Sequence, residues 1–204
     1  LNISAKFVQE LEPGHALIIK KAGGHEVVPF IEKREKKSCS FERIYFSRGS
    51  DKDIYVERKK LGKNLVERIL QAVDYKFEDT VFTYVPNTAE AAFYGLMEGL
   101  HDAYSKVKAE QIIAAGGKMS AEEISTLLAK QPRIEKLANK DEKLRTFIAN
   151  IDTRHEMVSH VYDVTYGIIR NDLDTLVLLD DSIVRGTTLR DSIIRMVALR
   201  LKPK

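Results

Sequence analysis

A pair of carboxylates and a glycine–threonine turn lie close together near the carboxyl end of the sequence. Asp180 and Asp181 directly follow the apolar residues 176–179, which predict a buried strand, and residues 186–188 (Gly-Thr-Thr) begin a segment of helical spacing. Backbone amides at the start of a helix bind phosphate, and glycine lets the phosphate oxygens approach closely. A carboxylate at a strand end can accept hydrogen bonds from the two vicinal hydroxyls of a sugar. The pattern predicts a sugar-phosphate site, although a solvated strand end followed by a helix cap would have the same composition.

A second strand-to-helix junction lies earlier in the chain. Residues 80–85 are rich in β-branched and aromatic side chains and predict a strand, which Pro86 ends. Asn87 or Thr88 then suits the N-cap of a helix of small residues that runs to about residue 101. A strand followed directly by a helix is the building unit of an α/β fold.

The order of the elements favours an α/β fold with a mainly parallel sheet flanked by helices. Residues 105–140 carry many Lys and Glu and few large apolar side chains, so they predict a helical insertion outside the core, with a charged helical stretch from Pro132. The predicted elements are a hairpin at residues 15–31, a helix at 55–73, a strand at 80–85, a helix at 87–101, strands at 161–169 and 176–179, and a helix at 186–201.

Composition excludes several classes of protein. The 204 residues carry a net charge of +3, which is too weak to argue for a nucleic-acid partner. No apolar run approaches the roughly 20 residues that cross a bilayer, and the first residues do not have the basic and apolar regions of a signal peptide, so we expect no membrane partner. Cys39 is the single cysteine, which fits a reducing, cytoplasmic location. The sequence begins with Leu1, and we expect a piece of a longer chain.

Residues 176–188, Leu-Val-Leu-Leu-Asp-Asp-Ser-Ile-Val-Arg-Gly-Thr-Thr, carry a family resemblance. This string resembles the phosphoribosyl pyrophosphate (PRPP) signature of phosphoribosyltransferases, and of the glutamine PRPP amidotransferases in particular. Residues 10–14, 39–48 and 55–62 resemble three further stretches of that family. The resemblance covers both ends of the chain well and the middle poorly. No Gly-x-x-x-x-Gly-Lys-[Ser/Thr] sequence is present, which disfavours an ordinary P-loop NTPase.

The resemblance implies a type I phosphoribosyltransferase fold, truncated at its carboxyl end. On this basis residues 1–38 are the end of a glutaminase domain and a linker, containing the predicted β-hairpin. Residues 39–204 are then the phosphoribosyltransferase domain, with the helical insertion at about 105–140.

The resemblance also implies a role for each candidate site residue. Asp180 and Asp181 would hold the ribose hydroxyls and favour a cationic transition state, and Arg145 would close over pyrophosphate as part of a lid. Family members usually carry an acidic residue where Asn87 stands. The implied substrate-binding residues are Ser182, Arg185, Gly186, Thr187 and Thr188 around the 5′-phosphate, and Pro86, Asn87, Thr88 and Ala89 around pyrophosphate.

Magnesium is the cofactor that the resemblance implies. It would lie mainly on substrate oxygens and water, with Thr88, Asp180 and Asp181 as the protein's contribution. Some family members bind an iron–sulfur cluster through a cysteine in the segment that contains Cys39. A cluster needs about four thiolates, and the chain has one, so we expect no cluster held by this chain alone.

The implied reaction transfers ammonia nitrogen to C1 of PRPP and releases pyrophosphate, the first committed step of purine synthesis. Ammonia would come from the missing glutaminase domain, whose cysteine nucleophile is not encoded here, and the full-length protein would be a homo-oligomer. Two alternatives stay open. One is a phosphoribosyltransferase that uses a base as nucleophile, and the other is a non-catalytic, PRPP-sensing regulator on the same fold.

Overall fold

The chain divides into two units, Leu1–Phe46 and Ser47–Lys204, in a computed structural model. The structure describes residues 9–35, 37, 39, 43, 46–140, 162–181, 190 and 193–204. The division falls a few residues after the boundary predicted at residue 38. The assignment of the first unit to a glutaminase domain stays a prediction.

The first unit contains the predicted hairpin. Strands β1 (His15–Ile19) and β2 (His25–Pro29) pair antiparallel, with Leu17 opposite Val27. Gly23 and Gly24 form the connection at φ of 93° and 82°, a region that residues with a Cβ atom rarely enter. Glycine is therefore suited to both positions of this turn.

The second unit is built on a three-stranded parallel sheet. Strand β3 (Thr80–Tyr84) lies between β4 (Arg133–Ile134) and β7 (Thr175–Leu179). Its register with β7 runs from Thr80 opposite Thr175 to Tyr84 opposite Leu179, so these two strands end at the same edge. Strands β5 (Ala138–Lys140) and β6 (Tyr162–Val164) form a separate antiparallel pair.

Five helices accompany the strands in the described parts of the chain: α1 (Lys52–Asn64), α2 (Val66–Ala72), α3 (Glu90–Ala114), α4 (Ala121–Ala129) and α5 (Arg195–Arg200). Two of them have the side-chain caps expected of Asp and Ser at the N-cap. Asp51 accepts hydrogen bonds from the first turn of α1, and Ser120 and Glu123 form a capping box at the start of α4. None of these helices is long and apolar enough to cross a membrane.

Alternate residues of the sheet enter two apolar cores, one on each face. Val81 of β3 packs in a core with Leu137, Ile193 and residues of α5. Phe82, its neighbour, packs in a second core with residues of α2 and α3. Because successive side chains of a strand point to opposite faces, both faces of the sheet are covered. The fold is therefore α/β, with a parallel sheet flanked by helices, as predicted.

Helices α1 and α3 approach so closely that their backbones touch. A Cβ atom on Gly62 would lie 1.7 Å from the Ala92 carbonyl oxygen, and one on Gly95 would lie 1.8 Å from that of Lys59. An ion pair between Lys63 and Asp102, 2.8 Å apart, spans the same two helices. Glycine is required at both positions by this close approach.

The structure differs from the predicted helical insertion at 105–140 at both ends. Helix α3 continues from the core to Ala114, and β4 and β5 belong to sheets, with Leu137 only 1% exposed. The helix predicted from Pro132 is wrong, because Arg133 and Ile134 pair with β3 instead. The strand predicted at 161–169 is likewise shorter, with Tyr162–Val164 as its extended part among the described residues.

Helix α4 is attached to α3 through a buried lysine. Lys108 is 5% exposed, and its Nζ donates hydrogen bonds to the carbonyl oxygens of Leu128, at 2.9 Å, and Lys130. The same ammonium lies 4.7 Å from the centre of the Tyr104 ring. A lysine at the carboxyl end of a helix satisfies carbonyl groups that have no partner within the helix.

A buried carboxylate joins β4 to the start of β7 at the amino edge of the sheet. Asp174 is fully buried and receives Arg133 Nη1 at 2.6 Å, together with the Arg170 backbone amide at 2.7 Å and its Nη2 at 2.6 Å. Burial alone would raise the pKa of the Asp174 carboxyl, but the hydrogen bonds from Arg133 and Arg170 outweigh it and hold this pKa well below its usual range.

Candidate functional site at the carboxyl edge of the sheet

The two predicted loops leave the sheet side by side. Because Tyr84 is paired with Leu179, the chain after each strand starts from the same level of the sheet. The Val85 amide donates to the Leu179 carbonyl oxygen at 2.9 Å, which extends the pairing by one bond. In parallel α/β sheets, ligands bind in the crevice beyond the carboxyl ends of the strands, and both loops lie there.

The loop after β3 presents two polar side chains between buried residues. Val85, Pro86 and Ala89 are buried, whereas Asn87 and Thr88 are exposed. The Pro86–Asn87 peptide bond is cis. Anchored at both ends and polar at its tip, this loop can offer amide and hydroxyl groups to a ligand at the sheet edge.

Thr88 makes a direct contact with the carboxylate that follows β7. Its Oγ1 donates a hydrogen bond of 2.9 Å to Asp181 Oδ1, linking positions 93 residues apart. Both loops that the sequence singled out are therefore parts of one surface. Asp181 and its neighbour Asp180 are half-buried there.

Helix α3 begins without the side-chain cap that the sequence predicted. Its N-cap is Ala89, and this residue makes no side-chain hydrogen bond to the helix. The prediction that Asn87 or Thr88 caps the helix is wrong, because the Thr88 hydroxyl bonds to Asp181 instead. Amides in the first turn of a helix lacking such a cap can bind an anion.

Glu90, in the first turn of α3, lies in a cluster that sequence reasoning missed. Its Oε1 accepts hydrogen bonds from the hydroxyls of Tyr84, at 3.2 Å, and Tyr94, at 2.9 Å. Burial and the Glu90 carboxylate raise the pKa of Tyr84, and the hydrogen bond to Glu90 raises that of Tyr94. The spacing of Glu90 and Tyr94, four residues apart on one helix, was the available signal.

Other predicted site residues lie outside the part of the chain that the structure describes. They are Arg145, Ser182, Arg185, Gly186, Thr187 and Thr188. Their placement against Asp180 and Asp181 stays a prediction.

Magnesium fits the described residues only as a partner of substrate. Within the ranges that the structure describes, no group of three or more His, Cys, Asp or Glu residues could hold a metal ion. Mg²⁺ bound with phosphates commonly takes one or two protein carboxylates and keeps its other ligands as water and phosphate oxygens. The adjacent carboxylates of Asp180 and Asp181 suit that arrangement, and the metal role of Thr88 stays a prediction.

Known proteins match nearly the whole chain. No family model matches the sequence. The chain is 26% identical over 217 aligned residues to amidophosphoribosyltransferase of Drosophila melanogaster, covering 98% of this chain and 33% of that protein. It is 27% identical over 193 residues to amidophosphoribosyltransferase of Bacillus subtilis (strain 168), covering 92% and 33%. The chain is similar to amidophosphoribosyltransferase. It spans about a third of the length of these curated amidophosphoribosyltransferases.

The likeness extends to three-dimensional structure. A solved structure of an allosteric regulatory enzyme of purine biosynthesis matches with a TM-score of 0.51 and 27% identity, over 97% of this chain and 35% of that one. The resemblance inferred from residues 176–188 is thus confirmed for nearly the full length of the chain, including the middle that the motifs covered poorly.

Proposed function

We propose that this chain carries the PRPP site of an amidophosphoribosyltransferase. The observation that carries the proposal is the hydrogen bond from Thr88 to Asp181, which joins the predicted pyrophosphate loop to the predicted ribose carboxylates. The likeness to amidophosphoribosyltransferases over nearly the whole chain supports the same reaction. Ammonia supply by a glutaminase domain, homo-oligomer assembly and a cytoplasmic location belong to the proposal as properties of a longer protein.

The proposed reaction needs positioning and charge stabilisation more than covalent chemistry. The nitrogen lone pair of ammonia forms the C1–N bond while the C1–O bond breaks. The electron pair of the C1–O bond leaves with pyrophosphate. A proton is then lost from the new ammonium. Positive charge develops on the sugar ring, where Asp180 and Asp181 would hold the hydroxyls and stabilise the cation.

The leaving diphosphate needs donors on the other side of the sugar. The loop of Pro86, Asn87, Thr88 and Ala89 would supply them, followed by the first turn of α3. By resemblance, residues 186–188 would hold the 5′-phosphate and Arg145 would close over the diphosphate. Magnesium would arrive on the substrate's phosphate oxygens and neutralise charge there.

Pyrophosphate release in the presence of Mg²⁺ and PRPP tests the reaction class. Release that depends on added ammonium, above a reaction without ammonium, supports the proposal. PRPP binding with no release under any condition would favour the sensing alternative. Release that requires a purine or pyrimidine base, and not ammonium, would favour a base-using phosphoribosyltransferase.

A further inference from the structure

We propose that Thr88 positions the Asp181 carboxylate for the sugar and does not itself donate to the diphosphate. This inference rests on the proposed function and revises the role of one residue within it. The contact that carries it is the hydrogen bond of 2.9 Å from Thr88 Oγ1 to Asp181 Oδ1.

The hydrogen count of the two groups supports this division of roles. A threonine hydroxyl has a single hydrogen, and Thr88 gives it to Asp181. Diphosphate oxygens are acceptors, so the Thr88 hydroxyl does not donate to them as long as its hydrogen stays on Asp181. A carboxylate has two oxygens and about four acceptor positions, so Asp181 keeps capacity for a sugar hydroxyl while it holds Thr88.

Thr88 is well placed to fix the orientation of another side chain. The next residue, Ala89, is fully buried, and the base of the loop is tied to β7 by the hydrogen bond from the Val85 amide to Leu179. A β-branched side chain also has few χ1 rotamers. An aspartate held by such a group loses less conformational freedom when the ligand binds, which increases affinity.

The diphosphate donors are then the remaining groups of the loop. Asn87 is exposed beside Thr88, and its side-chain amide supplies two N–H donors without a negative charge. Backbone amides in the first turn of α3 supply more.

Separate titrations of the two halves of the substrate distinguish the roles. Wild type, Thr88→Val and Thr88→Ser are each titrated calorimetrically, in Mg²⁺, with ribose 5-phosphate, inorganic pyrophosphate and PRPP. We expect Thr88→Val to weaken ribose 5-phosphate and PRPP by about two- to tenfold, the usual range for one hydrogen bond. Pyrophosphate affinity should not change. Thr88→Ser, which keeps the hydroxyl, should have the wild-type affinity for all three ligands.

Two results would overturn this inference without contradicting the proposed function. Weaker pyrophosphate binding with unchanged ribose 5-phosphate binding in Thr88→Val would make Thr88 a direct diphosphate ligand. Equal affinity of wild type and Thr88→Val for all three ligands would remove any role. A wild-type chain that binds none of the three contradicts the proposed function, and this inference with it.

A double-mutant cycle supplies the second readout. If Thr88 acts through Asp181, Thr88→Val should have no further effect on PRPP affinity in an Asp181→Ala background. Additive losses would contradict the inference. Thermal melts of each variant separate a binding loss from unfolding.

Discussion

Arg133 and Asp174 form an ion pair across the amino edge of the sheet, with Arg133 Nη1 2.6 Å from Asp174 Oδ1. The two residues belong to opposite sides of the central strand, since β4 and β7 both flank β3. Arg133 Nη2 also donates to the Ile168 carbonyl oxygen at 3.1 Å. An ion pair thus links the strands at their amino ends, and the candidate site lies at their carboxyl ends.

Replacing Asp174 with asparagine should lower the free energy of unfolding by about 1.5–3 kcal/mol, because the buried acceptor of the Arg133 and Arg170 hydrogen bonds loses its charge. Chemical denaturation at pH 7 measures this loss. Asp172→Asn is the matched control, since Asp172 is an exposed carboxylate two residues away. Equal stability of the two variants would contradict the structural role of Asp174.

The stability of the wild-type protein should also fall in acid. Because the pKa of Asp174 is lowered in the folded state, its contribution is complete above the ordinary value of 3.8 and shrinks as pH falls below it. The difference in unfolding free energy between wild type and Asp174→Asn should therefore narrow on acidification below pH 4. A difference that stays constant down to pH 2 would be inconsistent with the lowered pKa.

Gly95→Ala should destabilise the protein by about 1–3 kcal/mol, because the added Cβ meets the Lys59 backbone and the helices must move apart. The midpoint of urea unfolding measures the effect. Gly49→Ala is the control, since its Cβ would meet nothing nearer than a side-chain nitrogen of Arg58 at 3.4 Å. A Gly95→Ala variant as stable as Gly49→Ala would show that α1 and α3 are not in backbone contact.

Lys108→Met should loosen α4, because two carbonyl oxygens at the end of that helix lose their donor. Hydrogen exchange of the α4 amides should accelerate, while amides of β3 keep their protection. Lys106 lies in α3, as Lys108 does, but its side chain is exposed. Lys106→Met should therefore leave hydrogen exchange in α4 unchanged. Identical exchange in both variants would exclude an anchoring role for Lys108.

Local patterns predicted the strands that build the sheet, but partners distant in sequence decided the exceptions. The β-branched run before Pro86 and the apolar run before Asp180 both form parallel strands, because burial on two faces requires such residues. Arg133 lies in a charged stretch whose composition resembles that of a solvated helix. It nevertheless forms a strand beside β3, and its ion-pair partner, Asp174, lies 41 residues away.

In the candidate site, too, local sequence predicted some features and a distant partner decided another. The signature residues indicated both loops, because strand ends followed by small polar residues are a local pattern. Thr88 has the sequence features of a helix cap, yet its hydroxyl bonds to Asp181, 93 residues later in the chain. No local rule could have predicted that choice, because the partner of the Thr88 hydroxyl lies in a different loop of the chain.

Calorimetric titration of wild type and Asp181→Asn with PRPP and Mg²⁺ tests whether the Asp181 carboxylate binds PRPP. Asp181 is half-buried at a strand end beside Asp180, so neutralising it should cost little stability. Loss of a charged hydrogen bond to the ligand should weaken PRPP binding by about 1.5–3 kcal/mol, or ten- to hundredfold. We expect this loss of affinity in a variant that melts at the wild-type temperature. Unchanged PRPP affinity in a well-folded Asp181→Asn protein would contradict this role of Asp181.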